Sequence, residues 1–182
     1  MKSINEYVNE IMKTLTQHII ERLQLNKNRA NVHRYFPKTK EELQEIIKQL
    51  IEKRGIDASL NNIDTSKITD MSDLFLHSKY TNDINPQFDG DISKWDVSNV
   101  ENMSNMFAFS IYSGKNGDIS KWDVSNVVDM GYMFNNSEFD GDVSDWNVNK
   151  KCYFSEEMFK NSPSENNLPA WYTKWLDSRK KY

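Results

Sequence analysis

Cysteine is almost missing from this chain of 182 residues. Cys152 stands alone, which rules out an internal disulfide and with it the small bridged scaffold of secreted proteins. Histidine is scarce as well. His18, His33 and His77 are scattered, and none has a second ligand at metal spacing. No apolar run reaches the roughly 18 residues of a membrane helix, and the opening "MKSINEYVNE" has neither the basic start nor the apolar core of a signal peptide. A soluble, cytoplasmic chain without membrane association is the default expectation. Glycine-rich phosphate loops, GxSxG and HExxH are absent too, so the expectation is a protein that is not an enzyme and uses no cofactor or metal.

Charge of one sign is also unevenly missing. Residues 1–55 hold 11 Lys/Arg against 7 Asp/Glu, residues 56–165 hold 8 against 19, and residues 166–182 hold 4 against 1, giving +4, −11 and +3. Direct nucleic-acid binding needs clustered Lys/Arg on one surface, and the acidic middle argues against it.

What is present begins with helical spacing. Ile4, Tyr7, Val8, Ile11, Met12, Leu15, Ile19 and Leu23 recur at three and four, predicting an N-terminal amphipathic helix, followed by a polar basic linker to about residue 34. "PKTKEELQEIIKQLIEKRG" predicts a second helix within 35–56. Thr39 is placed at the N-cap with Glu42 three residues on as a capping box, Leu43, Ile46, Ile47, Leu50 and Ile51 form the stripe, and Gly55 takes the left-handed end.

From Ile63 the pattern is a repeat. "DISKWDVSNV" at Asp91 returns letter for letter at Asp118, 27 positions later, and four copies align as "IDTSKITDMSDLF", "WDVSNVENMSNMF", "WDVSNVVDMGYMF" and "WNVNKKCYFSEEMF", the first and last degenerate. Ile92, Trp95, Val97, Val100, Met103, Met106 and Phe107 read IxxWxVxxVxxMxxMF, whose front half is LxxLxL. Alternation at Trp95 and Val97 predicts a short strand, and the later spacing of three predicts a helical or 3₁₀ return. The expected fold is therefore an α/β solenoid: a short leucine-rich-repeat stack over 57–160 with one parallel strand per repeat, about 4.8 Å apart. Helices cap it at both ends. The second cap is expected within 161–182, where "LPAWYTKWLDSRKKY" places Pro169 at a first helical position before Trp171, Tyr172, Trp175 and Leu176.

"FDGDISKWDVSNVENMSNMF" resembles the BspA-type leucine-rich repeat family, with its DUF285-like GDISxWDVSNV and MxxMF elements. The resemblance covers roughly 57–160 and extends to the helix before it. It implies a role in protein binding or adhesion, in bacterial surface or phage-encoded proteins, and no catalysis.

In the LxxLxL frame the outward positions are Asp64 and Ser66, then Lys94, Asp96 and Ser98, then Lys121, Asp123 and Ser125, then Asp145, Asn147 and Asn149. Stacking would align them as columns on an exposed sheet face, the predicted protein-binding face. Its acidity points to a partner protein with a basic surface. The leading function is a non-enzymatic protein-protein interaction module. Two alternatives remain: a phage or mobile-element inhibitor blocking a basic nucleic-acid-binding protein, and a virion or cell-surface structural or adhesion component. The "DGD" and "NGD" tripeptides at 89–91, 140–142 and 116–118 admit a calcium reading, but turn chemistry with glycine at positive φ accounts for them.

Overall fold

The computed structural model describes residues 33–77 and 87–180. The N-terminal amphipathic helix expected over 4–25 lies outside them. Among the described residues no helix is long and apolar enough to cross a membrane.

The first element, α1, spans Lys40–Arg54. Thr39 is its N-cap and its Oγ1 accepts from the Glu42 amide at 3.3 Å, while the Glu42 carboxylate reaches back to the Lys38 amide at 2.7 Å. The Thr39 half of the expected capping box forms, while the Glu42 carboxylate takes the amide one residue before the N-cap in place of the N-cap's own. Gly55 ends the helix at φ 92°, with its amide on the Ile51 carbonyl at 2.8 Å. Leu43, Ile47, Leu50 and Ile51 are buried in the same core as the repeats.

The predicted strand per repeat does not form, and the α/β solenoid is corrected accordingly. Among the described residues there are helices and turns but no strand, and backbone pairing outside helices is limited to isolated parallel bridges. The bridges also lie elsewhere than expected. Asp70, Asn102, Asp129 and Tyr153 pair in succession, in the "DM", "NM" and "YF" segments, and not at the tryptophans.

Two local effects outcompete a sheet. In the "WDVSNV" segments Val100 donates to Val97 at 2.9 Å and Val127 to Val124 at 3.0 Å, closing β-turns that use up amides a ladder would need. In the "MxxMF" segments Asp73, Asn105 and Tyr132 stand at φ 57°, 53° and 57°, and a left-handed residue turns an extended chain aside. The return segment is therefore no helix either; it is a run of turns. Each run still bonds to the next copy. Met71 donates to Asn102 at 2.8 Å, Asn105 to Gly131 at 2.8 Å, Phe107 to Met133 at 3.0 Å and Phe134 to Met158 at 3.0 Å.

These in-register bonds stack like on like. Phe75, Phe107, Phe134 and Phe159 form one column with ring centroids 5.5, 5.7 and 5.4 Å apart, and Phe88, Tyr112 and Phe139 a second at 6.2 and 6.2 Å. After Phe107, Phe134 and Phe159 a buried serine, Ser110, Ser137 or Ser162, bonds the carbonyl three residues back at 2.7 Å. Trp95, Trp122 and Trp146 are buried beside the columns.

A short 3₁₀ turn, Pro163–Asn166, leads to α2, Ala170–Arg179, in which Pro169 is the N-cap and not the first helical residue. α2 lays Trp171 on Trp146, centroids 6.3 Å apart at 15°, and its indole N–H bonds the Val143 carbonyl at 2.9 Å. Trp95 bonds Leu60 and Trp146 bonds Ile119 in the same way, each at 3.1 Å, so Trp171 occupies the place that a further repeat's tryptophan would take.

Candidate functional site

The predicted face exists as residues but not as a sheet. Lys94, Asp96, Lys121, Asp123, Asp145 and Asn147 are exposed, and Asp64, Ser66, Ser98, Ser125 and Asn149 are partly so. All lie on turns. The Asp96 Oδ1 accepts from the Ser98 amide at 3.0 Å and hydroxyl at 2.6 Å, and Asp123 repeats this with Ser125 at 3.1 and 2.6 Å. Asp64 accepts from the Ser66 amide at 3.0 Å, and in the fourth copy Asn149 does so from Lys151 at 2.9 Å. An aspartate or asparagine bonding the amide two residues on is an Asx turn, which fixes the side chain as firmly as the backbone.

Neighbouring copies are tied at this face by asparagine. The Asn99 Nδ2 donates to the Ser66 carbonyl at 2.9 Å and the Asn126 Nδ2 to the Ser98 carbonyl at 2.7 Å. Lys121 lies 3.4 Å from Asp145, both well exposed, a pair worth under about 1 kcal/mol. Hydrogen bonds from the hydroxyl and amide of Ser125 hold the Asp123 carboxyl below its usual range. The Ser98 and Ser125 amides and hydroxyls are already engaged, so beside Lys94 and Lys121 the face offers the carboxylate oxygens of Asp96 and Asp123. It suits cationic and N–H donors on a partner.

The "DGD" aspartates use the same turn. Asp91, Asp118 and Asp142 accept from the amides of Ser93, Ser120 and Ser144 at 3.0, 2.8 and 2.8 Å. The glycine between them is not at positive φ, contrary to the sequence reading; the left-handed glycines are Gly55 and Gly114. Gly90 is needed for close approach, since a Cβ there would lie 2.0 Å from the Ala58 carbonyl oxygen. Among the described residues no three His, Cys, Asp or Glu side chains group to hold a metal. Cys152 is buried, and desolvation, with the charge of Asp129, pushes its thiol up to about 12, so it is a poor nucleophile at neutral pH.

Sequence reasoning passed over a second set of outward residues. Val128, Tyr132 and Tyr153 are exposed large side chains in the third and fourth copies, on the "MxxMF" side. The signal was available in the alignment, because Tyr132 stands where the first two copies have Asp73 and Asn105, and Tyr153 where the first three have Asp70, Asn102 and Asp129.

A family model described as "Mycoplasma protein of unknown function, DUF285" matches residues 42–175, well over half of the chain. No curated protein and no solved structure matches it.

Proposed function

The chain belongs to the DUF285 family, and from that premise we propose that it is a non-enzymatic protein-protein interaction module. The exposed turn columns, Asp64, Asp96 and Asp123 with Ser66, Ser98, Ser125, Asn147 and Asn149, meet a basic partner. One observation carries this reading. The turn needs an acceptor but no charge, and the chain makes the same turn with asparagine at Asn102, bonding the Ser104 amide at 2.9 Å, and at Asn149. Successive copies nonetheless keep aspartate at 64, 96 and 123. Turn geometry alone does not call for the charge, and a cationic partner would use it.

The acid excess of residues 56–165 also favours the narrower reading of an inhibitor that occupies the basic surface of a nucleic-acid-binding protein. Competition by DNA for the captured partner separates the two. The test of the main reading is affinity capture from the source cells with the full chain, followed by binding measurements on the captured protein. Asp96→Asn with Asp123→Asn keeps both turns and removes two charges, and should weaken binding by about tenfold, or about 1.4 kcal/mol. Glu52→Gln with Asp57→Asn, an equal charge change on other exposed residues, should leave it unchanged. Equal weakening by both pairs would reduce the interaction to diffuse attraction and overturn the assigned face.

A further inference from the structure

Tyr132, Tyr153 and Trp175 line one open pocket together with Glu156, Glu157 and Arg179. Three departures from the repeat converge on it. Tyr132 replaces the Asp73 and Asn105 of earlier copies, yet keeps their left-handed backbone at φ 57°, a conformation that aspartate and asparagine tolerate and a bulky aromatic does not favour. Tyr153 replaces an Asx residue and forfeits its turn. Gly131 replaces Ser72 and Ser104, and a Cβ at 131 would sit 2.9 Å from the Tyr153 ring as it stands. Backbone strain, a lost turn and a glycine have been accepted together to place two aromatic rings in the open, where Tyr132 is 42% and Tyr153 53% exposed.

The chemistry of the pocket is displayed by its own arginine. Arg179 holds its guanidinium 5.6 Å from the Trp175 ring centre and its Nε 3.8 Å from the Glu156 carboxylate, while remaining more than half exposed. Glu157 is engaged by Lys160, and Glu156 is the carboxylate that Arg179 reaches. Aromatic faces beside a carboxylate form a site for a cation. We propose that this pocket takes an arginine or lysine side chain of a basic protein partner, and that Arg179 occupies it in the partner's absence. The proposal rests on the interaction reading above and adds a second, independent contact to it.

The probes are acetyl-arginine amide, its neutral isostere acetyl-citrulline amide, and a short Arg-Gly peptide, titrated into the full chain and followed by tryptophan fluorescence. Arginine amide and the peptide should bind and citrulline should not. Tyr132→Asn and Tyr153→Asn restore the residues of the earlier copies, so the chain should keep or raise its Tm while peptide binding falls by about tenfold, the effect of losing one cation–π contact. Arg179→Ala empties the pocket and should tighten binding. Citrulline binding as well as arginine, or peptide affinity unchanged in both tyrosine variants, would overturn the proposal. The interaction reading would then still stand or fall on Asp96 and Asp123, which lie on the other segment of the repeat.

Discussion

Trp95, Trp146 and Trp171 each donate their indole N–H to a carbonyl of the preceding copy, but the Trp122 N–H is buried without an acceptor. The three repeat tryptophans should therefore respond differently to the same change. Trp95→Phe and Trp146→Phe lose the indole hydrogen bond to the Leu60 or Ile119 carbonyl, which keeps only its amide donor from Ile63 or Trp122, whereas Trp122→Phe removes an unsatisfied donor. In urea unfolding, Trp122→Phe should be milder than either by about 1 kcal/mol or more, while Trp122→Ala should still cost about 3 to 5 kcal/mol through its cavity. Equal losses for all three phenylalanines would contradict the hydrogen-bond assignment. At this scale the core was legible in the letters. Ile92, Trp95, Val97, Val100, Met103, Met106 and Phe107 are all buried as their spacing requires. The conformations between them were legible only in part: Asp-x-Ser in "DVS" signals a side-chain bond to the following turn, but the LxxLxL frame placed the same residues on a strand.

Elements were read well where capping letters are explicit and poorly where a pattern had to be translated into backbone. Thr39, Glu42 and Gly55 placed α1 to within a residue. A period of two at Trp95 and Val97 suggested a strand, but it shows only that two side chains point inward, and turns achieve this as well. The second aromatic column, Phe88, Tyr112 and Phe139, went unseen because three extra residues interrupt the middle copy before Asp118, displacing Tyr112 from the register that Phe88 and Phe139 keep. α2 completes the stack through Trp171, which bonds Val143 and stacks on Trp146. Trp171→Ala should destabilise the whole chain by about 3 kcal/mol or more, in one cooperative transition, because it uncovers the last copy. A change confined to the unfolding of α2 would show that the helix is an appendage.

At the scale of the molecule, charge dominates what can be tested. Asp118, Asp123 and Asp142 have carboxyls held below the usual aspartate value of 3.8 by hydrogen bonds, chiefly from the Ser120 amide, the Ser125 hydroxyl and the Ser144 amide respectively. A depressed folded value means the folded chain binds fewer protons than the unfolded one. Their contribution is complete above the unfolded value and is lost as pH falls through the folded one. The Tm should therefore be level from about pH 6 to 8 and fall below about pH 4, less steeply when all three are changed to asparagine. A triple variant with the parent acid dependence would contradict the role given to these turns.

Site-directed crosslinking measures directly whether the outward turns of the stacked copies are where a partner sits. Burial leaves Cys152 unreactive toward maleimides in the folded chain, so a cysteine introduced at an exposed position can be labelled alone. Lys94→Cys and Lys121→Cys stand on two successive copies of the face, and Lys48→Cys stands on the exposed side of α1. With a benzophenone label, the captured partner should crosslink from positions 94 and 121 and not from 48. Crosslinking from 48 alone, or equally from all three, would contradict the account.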